Sequence, residues 1–136
     1  MVNKVREKTG EFSIKGAVML LLVSILLVLS ISVLGTINSK SKLDSVSNQL
    51  ARYISIKGCI DADVYAEQAR LVANSGLDCT VSVDASYISN TKRIQFGDSF
   101  SVIVEYPAKF GVGGIMSVPV TIRSKDEGRS EVYWKS

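Results

Sequence analysis

The chain has 136 residues, of which 46% are apolar and 21% charged, and its formal net charge is +3. This length accommodates one domain and a short additional element. The stretch Gly16–Ser39 carries no charge, and fifteen of the eighteen residues 17–34 are aliphatic, alanine or methionine. Such a run excludes an ordinary soluble enzyme domain, and the sequence has no histidine, the commonest general base. We therefore predict a protein that is not an enzyme and holds no cofactor or metal.

The apolar run predicts one membrane-spanning helix. As a helix, residues 17–34 would be roughly 27 Å long, close to the ~30 Å hydrocarbon thickness of a bilayer. Three serines interrupt the run, and their hydroxyls can bond to the preceding helical turn. The alternative is a cleaved secretory signal with Ser30-Ile31-Ser32 as a weak cleavage site. The run is longer than the roughly 7–15 apolar residues of such signals.

The charges that flank the span predict its orientation. The first 15 residues carry four basic side chains, whereas only two lysines, at positions 40 and 42, closely follow the span. The positive-inside rule then makes 1–15 a cytoplasmic leader, 16–39 a transmembrane helix and 40–136 an extracytoplasmic α+β domain. That outer part has twelve basic and eleven acidic residues. No clustered basic face results, so a lipid bilayer is the expected partner and nucleic acid is not.

Beyond the span, apolar residues recur at steps of three and four, which is the stripe of an amphipathic helix. The stripe consists of Leu43, Val46, Leu50 and either Tyr53 or Ile54. No proline occurs before Tyr106, so we expect one continuous helix from about Ile14 to Lys57, with Gly58 as its stop. Asp61 and Asp63 then stand where an N-cap and a first-turn acid belong. They predict a short second helix over Ala62–Ala73.

Two cysteines, Cys59 and Cys79, bracket this second helix. On the outer side of a membrane they could form one disulfide, with loop closure contributing about 3 kcal/mol. The alternative is two buried free thiols, because Cys79 also lies on the inward-facing side of its predicted strand.

From Cys79 onward the apolar period changes to two, which is typical of strands. Full strands are predicted at Val81–Tyr87, Ser99–Tyr106 and Val118–Arg123. A shorter strand, Lys92–Phe96, should pair with Ser99–Tyr106 through a two-residue hairpin loop at Gly97-Asp98. Another short strand is predicted at Val132–Lys135, after a turn at Asp126–Gly128. The glycine-rich stretch Phe110–Gly114 is expected to be a loose loop. Pro119 indicates an edge strand. The predicted fold class is therefore α+β, with a long helix (transmembrane, then amphipathic), a short second helix and a small antiparallel β-sheet of four to five strands.

The whole layout resembles a known family. The segments that carry the resemblance are the Lys8-Thr9-Gly10-Glu11-Phe12 junction, the Leu50–Gly58 stretch followed by Asp61–Val64, the Ile94–Asp98 hairpin, and the closing Gly128-Arg129-Ser130-Glu131-Val132-Tyr133-Trp134-Lys135. Together with the apolar helix they look like a type IV pilin or pseudopilin. The chain is most similar to the TadE-like proteins of tight-adherence pilus systems, in particular the short members from Gram-positive bacteria and their mobile elements.

This resemblance implies a non-catalytic minor pilin of a tight-adherence pilus or of a related secretion or conjugation machine. Its partners would be other pilin-like subunits, pilus assembly proteins and a prepilin peptidase, and it would reside in the cell membrane or a surface filament. The peptidase would cut after Gly10, leaving Glu11 as the first residue. The family's glutamate at the fifth mature position is Lys15 here, which reverses the charge. An alternative function is a single-pass, membrane-anchored extracytoplasmic domain that binds or senses a ligand.

Overall fold

The computed structural model describes residues 2–112 and 116–135, and its fold is α+β, as predicted. Five elements follow one another along the chain: helices α1 (Val2–Lys57) and α2 (Ala62–Ser75), then strands β1 (Thr80–Ala85), β2 (Ser99–Val112) and β3 (Met116–Arg129). The second half of α1 packs on one face of the sheet, and α2 packs against α1.

Helix α1 is continuous through 56 residues, which corresponds to about 84 Å. The predicted continuity past the apolar run is confirmed, and the helix begins twelve residues earlier than the predicted Ile14. Gly58 ends it with φ 67°, and its N–H donates to the Ile54 carbonyl at 2.7 Å. A residue with a side chain would be strained in that left-handed conformation.

The three strands form one antiparallel sheet in the order β1-β2-β3. The β1 ladder extends only from Ala85↔Phe100 to Thr80↔Glu105, whereas the β2–β3 ladder continues to Val112↔Met116. The last part of β2 and the first part of β3 therefore project beyond β1 as a two-stranded ribbon. We call this ribbon, residues 106–112 and 116–122, the hairpin arm.

The described residues form three strands, so the prediction of four to five is wrong. Lys92–Phe96 makes no strand with β2, because β2 is central and both of its edges are already paired. The segment bonds instead to the residues after α1: the Ile94 N–H donates to Gly58 at 2.8 Å, and the Ile60 N–H donates to Lys92 at 2.9 Å. The predicted two-residue hairpin at Gly97-Asp98 is therefore wrong: Gly97, at φ 82°, lies in a turn that the Asp98 N–H closes by donating to the Gln95 carbonyl at 3.0 Å.

Three other strand and loop predictions are also corrected. Asp126–Gly128 is not a turn, because these residues continue the β3 ladder opposite Phe100–Val102. Val132–Lys135 is not a strand, since the Trp134 N–H is taken by the Gln95 side chain at 3.1 Å. The expected loop at 110–114 is strand up to residue 112, and Gly113 and Gly114 lie outside the described residues.

The core lies between the amphipathic half of α1 and the sheet. Its helix side is formed by the predicted stripe, in which Leu43, Leu50 and Ile54 are fully buried. Ile54, rather than Tyr53, continues the stripe, because Tyr53 is only partly buried. Phe100, Val102 and Val104 supply the β2 side. Each large aliphatic side chain buried in this way contributes about 1.5–3 kcal/mol to stability.

Gly128 allows β3 to approach α1 closely. A Cβ at this position would lie 2.5 Å from Cζ of Phe100 and 2.8 Å from Oγ of Ser55 on α1. Phe100 is itself buried, with 2% of its surface exposed. The helix-to-sheet distance at this end of the domain therefore depends on a missing side chain.

We expect Gly128→Ala to lower the free energy of unfolding by about 1–3 kcal/mol, the usual effect of overpacking a core. Thermal unfolding of the full chain in detergent micelles, followed by circular dichroism, measures this effect. Glu127→Ala, at the adjacent exposed position, is the matched control and should change the stability by less than about 0.5 kcal/mol. A Gly128→Ala variant as stable as the control would contradict the close approach.

Candidate functional site

Between Ile14 and Ile37, α1 leaves most of its large apolar side chains uncovered by the rest of the chain. Exposed aliphatic residues extend from Ile14 to Ile37, and Leu20 is 71% exposed. Within the described part of the chain, α1 is the one helix long and apolar enough to cross a membrane. An exposed apolar surface of this extent fits membrane anchoring, because in water it would associate or aggregate.

The three serines within the apolar run make the predicted bonds along the helix. The hydroxyls of Ser24 and Ser30 each donate to the carbonyl four residues earlier at 2.8 Å, and that of Ser32 does so at 3.1 Å. Each polar side chain is therefore satisfied within its own helix, which lowers its cost in a lipid environment.

A cluster of polar groups joins α1 to β3 where the apolar run ends. The Lys40 ammonium donates to the Asp44 carboxylate at 2.7 Å and to the Arg123 carbonyl at 2.8 Å. The Ser124 hydroxyl donates to Asp44 at 2.6 Å, and the Ser47 and Ser124 hydroxyls lie 2.9 Å apart. We call Lys40, Asp44, Ser47, Arg123 and Ser124 the polar junction. It fixes the level of the sheet along the helix.

The charge on Asp44 is favoured by this arrangement. The hydrogen bond from Lys40, followed by that from Ser124, lowers the pKa of the Asp44 carboxyl from its usual value. The ion pair is about half exposed, so on its own it adds little stability. Its contribution is the fixed position of β3 against α1.

The hairpin arm contacts the apolar half of α1. The Ser32 hydroxyl lies 3.2 Å from the Gly111 carbonyl oxygen near the end of the arm. Ser32 is eight residues before Lys40, so the arm extends about 12 Å along the helix beyond the polar junction. A part of the sheet domain thus lies beside the helix segment that fits a membrane.

The carboxylates that are close together in sequence, Asp61 with Asp63 and Asp126 with Glu127, have structural roles. Asp61 caps α2, accepting from the N–H groups of Asp63 at 3.1 Å and Val64 at 3.2 Å, and the Lys57 ammonium lowers its pKa. Asp126 accepts from Asn48 at 2.9 Å, while Glu127 pairs with Lys125. Within residues 2–112 and 116–135, no three His, Cys, Asp or Glu side chains are grouped to hold a metal ion.

The structure has Cys59 and Cys79 as free, half-buried thiols, the alternative to the disulfide. Burial is the main cause that raises the pKa of both thiols. For Cys59 the nearby Asp61 carboxylate adds to this effect, with Sγ 3.7 Å from Oδ2. Neither cysteine has the lowered pKa that marks a reactive thiolate.

The closing motif of the sequence holds the end of α1 and the 92–98 segment together. The Trp134 indole N–H donates to the Gly58 carbonyl at 3.1 Å, and the Arg93 guanidinium lies 4.5 Å from the Trp134 ring centroid. The Ser130 hydroxyl donates to Ile94 at 2.9 Å, and the Glu131 N–H donates to Ser55 at 2.9 Å. This motif therefore forms an intramolecular clamp.

The predicted cleavage residues, Gly10 and Glu11, lie within α1, remote from the sheet domain in sequence. Gly10 is exposed, and a Cβ placed on it would meet no atom within 4 Å. Packing does not require glycine at this position.

A family model described as a domain of unknown function (DUF4320) matches residues 20–135. The chain belongs to this family. The match spans most of the exposed helix segment, the polar junction, both strands of the hairpin arm and the closing clamp. Searches of curated proteins and of solved structures find no match. Membership in the DUF4320 family therefore adds no activity or partner to what the geometry offers.

Sequence reasoning missed the polar junction and the hairpin arm. The junction joins residues about 80 positions apart, and a single sequence contains no signal for such a pairing. The arm had a detectable signal: the alternation of Val118, Val120 and Ile122 continues on the other strand through Tyr106, Ala108 and Phe110. The intervening glycines favoured a loop instead.

The lowered pKa of Asp44 predicts a pH-dependent contribution to stability. Because the folded state favours the ionised carboxylate, this contribution is present above the usual pKa of 3.8 and is lost as the pH falls through the lowered value. Wild type should therefore be more stable than Asp44→Asn at neutral pH, with the difference shrinking as the pH falls below 3.8. Thermal unfolding across this pH range measures it. Asp78→Asn, at an exposed loop, controls for the loss of one surface charge, and an unchanged Asp44→Asn difference at low pH would contradict the junction.

The free thiols predict two alkylations of the unreduced protein. After unfolding in denaturant, Cys59 and Cys79 should both react with iodoacetamide whether or not a reductant was added first. Without denaturant, alkylation should be slow at neutral pH, because the raised thiol pKa values leave little thiolate. Intact-mass measurement counts the adducts. Two adducts only after reduction would instead show the disulfide.

Proposed function

We propose that the chain is a non-catalytic, pilin-like subunit of the TadE-like type, acting in a tight-adherence pilus or a related secretion or conjugation machine. The observation that carries this proposal is the division of α1. The segment Ile14–Ile37 is mostly apolar and exposed, and the second half of the helix is the central support of a small sheet domain. One continuous helix in two environments suits a subunit that is stored in a membrane and assembled through that helix.

The proposed topology places residues 1–15 in the cytoplasm, 16–39 in the membrane and the sheet domain outside. The excess of basic residues before the span supports this orientation. The polar junction at Lys40 supports the outer boundary, because it begins where the exposed apolar residues end.

Assembly would follow from the physics of the exposed half of α1. Its side chains are soluble only in lipid or against similar helices, so a subunit can exchange lipid contacts for helix contacts with its neighbours. The sheet domain would then supply contacts that are specific to each partner. Lys15 stands near the start of the apolar run, where pilins carry a glutamate, which suits a minor component rather than the main subunit of a filament.

Processing after Gly10 is part of the same proposal. A glycine within a helix costs about 1 kcal/mol relative to alanine, and Gly10 has no neighbour that a side chain would strike. Recognition by a prepilin peptidase would explain its presence. Gly16 is in equally open space within the same helix, so it offers a matched control.

The test is the intact mass of the protein isolated from membranes of cells that contain the peptidase. We expect wild type to lack residues 1–10, Gly10→Val to retain them, and Gly16→Val to be processed like wild type. Cells without the protein should fail to assemble the corresponding surface filament.

A protein that keeps residues 1–10, in cells whose filaments all form without it, would contradict the pilin proposal. The single-pass binding or sensing domain would then be the better description.

A further inference from the structure

The hairpin arm has an apolar face that the rest of the chain covers only in part. Successive pairs of the ladder, Tyr106↔Ile122, Ala108↔Val120 and Phe110↔Val118, bring these side chains to one face. Ile122 at the base is buried against the core, being 8% exposed. Towards the end, Val120 is 41% exposed, Val118 57% and Met116 72%. The helix-facing side of the arm therefore becomes uncovered as the arm leaves the sheet domain.

The uncovered face lies at the level of the apolar half of α1. Two contacts set this level: Lys40 bonds to the Arg123 carbonyl at the base of the arm, and Ser32 contacts Gly111 near its end. The distribution of charge is also the one expected for an arm at this level. Residues 110–122 carry no charge, and the first charged residue of β3, Arg123, lies beside Lys40 at the base of the arm. Lys109 alternates with Ala108 and Phe110 along β2, and it is itself exposed. Its long stem lets its ammonium reach the polar headgroups.

Both prolines of the chain lie in this arm. Pro107 lies on β2, beyond the end of β1, and pairs with Thr121. Pro119 lies on the edge strand β3 and pairs with Lys109. A proline fits a ladder only where its nitrogen points away from the partner strand. Each therefore removes an unpaired N–H from an open edge, which lowers the cost of placing that edge in an apolar medium. The same missing N–H groups also disfavour pairing of this edge with a strand of a second molecule.

We infer that the hairpin arm is a second membrane contact, with its apolar face immersed in the interfacial region and upper acyl chains of the leaflet nearest the sheet domain. The occupant of the uncovered face is lipid. This inference rests on the membrane-spanning part of the proposed function and is independent of filament assembly. The arm and α1 together would fix the tilt and rotation of the sheet domain relative to the bilayer, which a single helix leaves free.

Tryptophan quenching by lipids with brominated acyl chains tests the inference on the full chain in phosphatidylcholine nanodiscs. The one native tryptophan, Trp134, is bonded to Gly58 at the far end of α1, so wild type should not be quenched. Val118→Trp and Met116→Trp add an indole at exposed arm positions, where folding should tolerate it. Leu26→Trp reports on α1 itself. Arg129→Trp, exposed at the other end of the same strand β3, is the matched control.

We expect brominated lipid to remove most of the added emission of the Val118→Trp, Met116→Trp and Leu26→Trp variants and none from Arg129→Trp. Quenching at Leu26 without quenching at either arm position would overturn the arm contact and leave the membrane anchor intact. Absence of quenching at all positions would refute the anchor and the arm together. Arm emission that is blue-shifted, unquenched and dependent on the protein-to-lipid ratio would assign the face to a second copy of the chain.

Discussion

The architecture depends on one constraint: α1 must satisfy two different surroundings with a single unbroken helix. Between Ile14 and Ile37 most of its apolar side chains are exposed, whereas from Leu43 onward the buried residues lie along one stripe. The first pattern suits contact with lipid, and the second is typical of a helix that packs on protein through one face. No break in the helix separates these two parts, so the sheet domain is joined to the exposed segment by helical backbone alone.

The polar junction determines where along this helix the sheet begins. Buried apolar contacts are nondirectional and would tolerate a small slide of β3 along α1. Hydrogen bonds from Lys40 to Arg123 and from Ser124 to Asp44 have defined lengths and angles, so they select one register. The missing side chain of Gly128 sets the separation at the opposite end of the domain. Between them, these two contacts place a sheet of three strands on a helix that extends well beyond it.

The parts of the fold that local sequence patterns determine were predicted well. The stripe from Leu43 to Ile54 predicted the amphipathic half of α1, and Asp61 predicted the start of α2, because periodicity and capping act within a few residues. The number of strands was wrong, because pairing is a competition between distant segments. Lys92–Phe96 has a strand-like composition, but β2 had no free edge, and Gly58 and Ile60 offered backbone partners. Cleavage between Gly10 and Glu11 stays a prediction from the family resemblance, and the sequence left the bonding of the two cysteines open, whereas the polar junction needed the structure.

The hairpin arm is the part of the sheet that contributes least to the core between α1 and the strands. A strand pair that only completed the core could end near Glu105, the last β2 residue that β1 pairs with. Instead β2 and β3 continue for seven more ladder pairs towards the exposed part of α1, with no charge between Lys109 and Arg123 and a proline on each strand. These pairs add little buried core, and contact with lipid, as proposed for the arm, would give their apolar side chains a favourable environment. The Ser32–Gly111 contact places the end of the arm beside the helix segment whose own side chains are mostly uncovered.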